Sequence, residues 1–211
     1  MNNKRNLKIS LTLNIIIVIM EIIGLIMSIV QMQWGMFQFY TQDSNLVAMA
    51  ACAVLALYQI AILRGKKKKI PSWVTAFKYV AVCLVSVTFL VVIFVLAPLN
   101  GNGIESYKLM LLKGTMLYHH FLCPILAFVS FLFFENDNMI MRKYTKIAVL
   151  PTIIYAVTAV ILNVMHVMQG PYPFLMVYNQ PVYMSVVWFV VIVGGAYLIA
   201  CGIRKIKKGR K

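Results

Sequence analysis

The side chains best suited to covalent or acid–base chemistry in this sequence are Thr41, Asp43, His119, His120 and His166, which lie far apart along the chain. A threonine hydroxyl becomes a useful nucleophile only when a base takes its proton, and a neutral imidazole is the usual base. Thr41 beside a histidine would therefore make an acyl-transfer centre, able to attack an ester carbonyl. His119, His166 and Asp43 together would instead offer three ligands to a catalytic zinc. The i, i+4 histidine pair that would make the metal reading strong is missing. Neither a metal nor a cofactor is expected, and there is no phosphate-binding glycine loop, dinucleotide fingerprint or Cys-x-x-Cys pair.

The elements that must position these residues are membrane helices. Hydrophobic residues make up 62% of 211 positions and mean hydropathy is +0.86, far above a soluble domain. Runs 9–30, 44–63, 73–96, 114–134, 147–167 and 181–203 are each long enough to cross about 30 Å of hydrocarbon at about 1.5 Å per residue. They are continuous rather than alternating, which excludes lipid-facing barrel strands. The expectation is an all-α polytopic integral membrane protein, with six transmembrane helices in one domain spanning 1–211.

Charge sets the expected orientation. All but Lys108 and Lys113 of the 20 basic residues fall before the first run, after the second and fourth, at the chain's end, or just inside the third at Lys78. That side reads as cytoplasmic, so both termini point inward and the protein is a multi-pass cell-membrane protein. The net charge of +15 is spread over short juxtamembrane clusters, including Arg210 and Lys211, which suits anionic lipid head groups and argues against a nucleic-acid partner. The candidate residues then gather at the opposite, extracytoplasmic end. The first run is too long for a signal-peptide core and no small-x-small site follows it, so it reads as a retained span. Cys52, Cys83, Cys123 and Cys201 all fall inside runs, which argues against a disulfide framework.

Three segments form the outer cluster. The second span opens with Tyr40-Thr41-Gln42-Asp43-Ser44-Asn45, where Thr41, Ser44, Asn45, Ala48 and Cys52 share one face if the helix begins near Tyr40. Asp43 or Ser44 would cap that helix, and its free N–H groups or Asn45 would steady an oxyanion. In the fourth span, Thr115, His119 and Cys123 form a stripe, and Pro124 would loosen the backbone beside His120. Adjacent His119 and His120 diverge by about 100°, so one should face the bundle and the other serve packing or the interface. In the fifth, Asn163 and His166 precede the stiff turn Gly170-Pro171-Tyr172-Pro173-Phe174-Leu175, which could roof a pocket or merely anchor in the head-group belt.

Two charged residues stand apart. Glu21 lies near the middle of the first span, where an ionised side chain costs about 2.5–3.5 kcal/mol, and Asn14, Glu21 and Ser28 recur every seven residues as a polar seam against a neighbour. Lys78 reads as snorkelling to the cytoplasmic surface.

Phe39-Tyr40-Thr41-Gln42-Asp43-Ser44-Asn45, His119 with Pro124 five residues later and Glu135 at the helix end, and His166 followed by Tyr172-Pro173-Phe174-Leu175 resemble segments of the androgen-induced protein family and its uncharacterised bacterial membrane relatives. The order and rough spacing match over about residues 35–180. Members of that family are multi-pass hydrolases of fatty acid esters of hydroxy fatty acids. The resemblance implies Thr41 as nucleophile and His119, five residues before a proline, as base, with His120 in reserve and His166 orienting or lining. One departure is the polar Gln42-Asp43-Ser44-Asn45, which replaces a more apolar stretch of the animal enzymes.

The resulting expectation is an intramembrane hydrolase of lipid or fatty-acid esters. Catalysis falls to Thr41 and His119, and Asp43, Ser44, Asn45, His120, Cys123, Asn163, His166 and Tyr172 form the substrate pocket. The competing expectation is a lipid-binding or transport protein whose polar pocket holds a head group. Against transport, no inverted repeat or pair of broken spans is visible, and only Glu21 resembles a midplane ion site.

Overall fold

In a computed structural model that describes residues 2–135 and 140–209, each of the six apolar runs is a helix long and apolar enough to cross a membrane. Arg210 and Lys211 lie outside the described residues. In chain order the elements are α1 (Asn2–Met32), α2 (Tyr40–Leu63), α3 (Ser72–Leu99), a short α4 (Ile104–Leu112), α5 (Leu117–Phe134), α6 (Arg142–Val164) and α7 (Val182–Gly209). There is no strand among the described residues.

The layout follows from which helices carry apolar side chains all round. In α3 an unbroken series from Ala81 to Val85 is buried, and this helix packs against α2, α5, α6 and α7 as the bundle's centre. By contrast α7 buries only 17% of its most apolar window against 56% for α3, so most of its surface is left for lipid. Small residues on α2, namely Ala48, Ala51, Cys52 and Ala56, are buried and let the neighbouring backbones approach closely.

Within hydrocarbon a polar group must find its partner inside the protein, and α1 shows how. Asn14, Glu21 and Ser28 are all buried, as the sevenfold spacing predicts, and Ser10, one turn before Asn14, is buried with them. Gln59 of α2 donates to Ser10 Oγ at 2.7 Å, and Gln42 donates to Ser28 Oγ at 3.0 Å. Lys78 departs from expectation. It does not snorkel: it is 0% exposed, donating to Asn14 Oδ1 at 2.7 Å and lying 2.8 Å from Cys52 Sγ and 3.8 Å from Glu135 Oε1. The reason is that α1, α2 and the end of α5 present those partners level with Lys78, so the ammonium is satisfied without reaching water. Lys207 of α7 also turns inward, onto the carbonyls of Phe131 and Glu135.

Two local irregularities precede prolines, which supply no N–H to the carbonyl four residues earlier. α3 is π-helical over Val92–Leu96, just before Pro98, and α5 is π-helical over Leu117–Leu122, just before Pro124. The second of these stretches carries both adjacent histidines.

Candidate active site at the basic-poor end

Thr41 occupies the second position of α2, which opens at Tyr40 after an extended Phe39. No side chain caps this helix, so neither Asp43 nor Ser44 serves that purpose. The start lies earlier than a cap at Asp43 would require, and both residues fall inside the first turns. Ser44 Oγ donates to the Thr41 carbonyl at 3.0 Å and pairs with Thr88 Oγ1 at 2.9 Å. Asp43, half-buried, faces a lateral groove on the other side of the helix with Tyr40, Leu150 and Tyr155.

The imidazole that meets Thr41 is that of His120, with Nε2 3.2 Å from Thr41 Oγ1. Its Nδ1 lies 2.7 Å from the carbonyl of Met110 in α4. A carbonyl can only accept, so Nδ1 carries the proton, and in the neutral ring Nε2 is left as an acceptor for the Thr41 hydroxyl. Met110 thus fixes the tautomer a base requires. Because the contribution is a backbone carbonyl, nothing in the residue types of α4 advertises it.

His119, the residue expected at this position, points elsewhere. Its Nε2 lies 3.5 Å from Glu21 Oε2, and Cys123 also reaches the Glu21 carboxyl group. Both histidines are buried, at 2% and 7% exposure, so neither takes an interfacial role, and His119 is the one that packs, against α1. The widened turn before Pro124 lets one residue face α1 and the next face α2 and α4. Asn45 is drawn into the same layer, donating to the carbonyls of Thr41 at 2.8 Å and His119 at 3.1 Å. Its amide is committed to helix backbones and cannot also serve an oxyanion.

Gly24 explains how a histidine fits so close to α1. A Cβ added there would overlap His119 Nε2. The signal for this was present in the sequence, since Gly24 lies three residues beyond Glu21 on the seam face, where small residues permit close helix contact. Gly24→Ala is expected to destabilise the protein by about 1–3 kcal/mol through overpacking, read as a lower thermal unfolding midpoint in detergent. An unchanged midpoint would show that His119 does not rest on α1.

His166 does not join the site. It ends α6 in the left-handed conformation (φ 58°), is exposed, and stacks on Tyr178 with ring centroids 4.6 Å apart. That terminating geometry turns its side chain away from Asn163, which is buried. Asn163 braces the following loop, donating to the Met168 carbonyl at 2.9 Å and accepting from Val177 N–H at 2.9 Å. The three ligands of the zinc reading do not converge, and no group of three His, Cys, Asp or Glu suited to a metal occurs among the described residues.

The braced loop does roof the site. A Cβ on Gly170 would come within 2.5 Å of the Leu175 carbonyl, so only glycine lets the loop close on itself there. Closure brings Tyr172 down beside Thr41, its hydroxyl 3.3 Å from Thr41 N and 3.4 Å from Oγ1. No protein-family model, curated protein or solved structure matches this chain. Two cavities meet at Thr41. One is a cleft of about 570 Å³ lined by Gln31, Gln42, Lys113, His119, His120 and Tyr172. The other is a narrow apolar slot between α3, α6 and α7, with Val87, Val91, Ala156, Leu175, Trp188 and Ile192 among its walls. Thr41 and Tyr172 line both.

Proposed function

We propose that this protein is an intramembrane hydrolase of lipid or fatty-acid esters, with Thr41 as nucleophile and His120 as its base. The observation that carries the reading is the 3.2 Å approach of His120 Nε2 to a buried threonine hydroxyl, with the opposite ring nitrogen held by Met110. A base within hydrogen-bond reach and oriented by a third group is the arrangement that activates a hydroxyl.

The chemistry then runs as an acyl transfer. Thr41 Oγ1 attacks the ester carbonyl carbon as its proton passes to His120 Nε2, and the carbonyl π pair moves onto oxygen. Collapse of this intermediate expels the alcohol, which takes the proton from His120. Water, deprotonated by the same nitrogen, then releases the acid and restores Thr41. An acyl chain suits the narrow apolar slot, while the wider cleft, which carries Gln31, Gln42, His119 and His120 among apolar walls, admits the leaving group and the water. The scarcity of lysine and arginine at this end supports a site on the extracytoplasmic side of the cell membrane.

A fluorophosphonate bearing a long alkyl chain tests the nucleophile directly. Covalent labelling is expected on wild-type protein in detergent and is lost in Thr41→Ala. Labelling that survives the substitution would move the nucleophile elsewhere. Lipid that co-purifies and binds equally to both forms, with no labelling and no ester turnover, would favour a binding protein instead.

A further inference from the structure

The hydroxyl of Tyr172 is placed as no packing requirement explains. Its ring is already held by Phe174, stacked at 5.3 Å and 12°, and by Phe39 edge-on at 6.0 Å. The hydroxyl extends past these contacts to lie within 3.4 Å of both Thr41 Oγ1 and Thr41 N. The Thr41 N–H belongs to the first turn of α2, where helix geometry supplies no carbonyl acceptor, and here it donates to the Tyr172 oxygen. Tyr172 therefore receives a hydrogen bond from the backbone and keeps its own O–H free to donate towards the nucleophile's side of the cavity. Burial pushes the phenol up from its ordinary value, so that proton is retained.

We infer that Tyr172 O–H and Thr41 N–H together form the oxyanion hole, taking the negative charge that develops on the ester carbonyl oxygen when Thr41 attacks. This rests on the hydrolase reading above. In the resting site Thr41 N–H donates to the Tyr172 oxygen and Tyr172 O–H to Thr41 Oγ1; when an ester enters, its carbonyl oxygen replaces Thr41 Oγ1 as the acceptor for Tyr172, and the backbone N–H turns to the same oxygen. Such donors act only as charge appears and so raise the chemical rate rather than affinity for the substrate. The Asn45 amide, bound to two carbonyls, does not compete for this place.

A long-chain trifluoromethyl ketone separates this role from shape. Its carbonyl carbon bonds to Thr41 Oγ1, the π pair goes to oxygen and the hydroxyl proton to His120, so the adduct carries the oxyanion. The matching alkyl ether carries none. In Tyr172→Phe, which keeps the ring and its stacking, kcat is expected to fall and the ketone inhibition constant to rise by about 10²–10³-fold, with ether affinity changed less than about twofold. A fluorinated tyrosine at position 172, a more acidic donor of the same shape, is expected to tighten ketone binding. Unchanged kcat and ketone affinity in Tyr172→Phe, equal loss of ketone and ether, or no response to fluorination overturns the assignment while leaving the threonine–histidine pair intact. A wild-type protein inert to both ester and ketone removes the hydrolase reading itself.

Discussion

His120→Gln is expected to lower kcat for a long-chain ester by about 10²–10⁴-fold, whereas His119→Gln leaves it within about tenfold of wild type. The two residues are neighbours in sequence and both buried, so a difference of this size isolates what each imidazole touches. His120 contacts the Thr41 hydroxyl and is oriented by Met110; His119 contacts Glu21. Glutamine at position 120 can still hydrogen-bond but cannot accept a proton at neutral pH. Removing His119 acts on the rate through the cleft wall it forms and the helix layer it shares with Asn45 and Gly24, not through contact with the Thr41 hydroxyl. Steady-state kinetics in micelles, with unfolding midpoints to confirm that both variants are folded, reads the outcome. Equal losses, or the larger loss at His119, would return the base to the position that lies five residues before Pro124.

The second large effect concerns stability. Lys78→Met is expected to cost about 3–5 kcal/mol, because removing one partner of a buried charged set leaves the rest desolvated and unpaired. Methionine fills nearly the same volume, so little of the loss would come from a cavity. Asn14 Oδ1 would lose its donor at 2.7 Å and the Glu135 carboxylate an ammonium at 3.8 Å. Adding Glu135→Gln should recover part of the loss, since the remaining side chain is then neutral. Thermal unfolding of the single and double variants in one detergent decides the matter, and a single-variant loss below about 1 kcal/mol would show that Lys78 reaches water after all.

Run length alone sufficed to locate the six spans, because a hydrocarbon layer imposes a minimum length that composition must meet, although the first helix begins well before residue 9, at Asn2, and the last continues past residue 203 to Gly209. The seam of Asn14, Glu21 and Ser28 was likewise readable, since regular spacing on a helix fixes a common face. What spacing does not determine is azimuth after a defect. The π-helical stretch before Pro124 rotates the following side chains away from their regular positions, and the choice between His119 and His120 turns on that rotation. His166 was misplaced for a related reason, as a single left-handed residue redirected its side chain from α6 to Tyr178. Lys78 was misjudged because a snorkelling lysine and a paired one look alike until the neighbouring helix is known. The partnership of Tyr172 with Thr41, residues far apart in sequence, depends on loop closure at Gly170, which the glycine and flanking prolines hinted at without fixing its direction.

The junction of two unlike chambers at Thr41 bears on how a turnover would end. An ester cut there would leave one fragment in the aliphatic slot and the other in the wider cleft that carries Gln31, Gln42, His119 and His120. Each would depart into the phase that suits it, the acid towards the bilayer and the alcohol towards water. Resynthesis would require both to return to one point from opposite directions. Partition of the products, more than the intrinsic equilibrium of ester cleavage, would then make the reaction run one way.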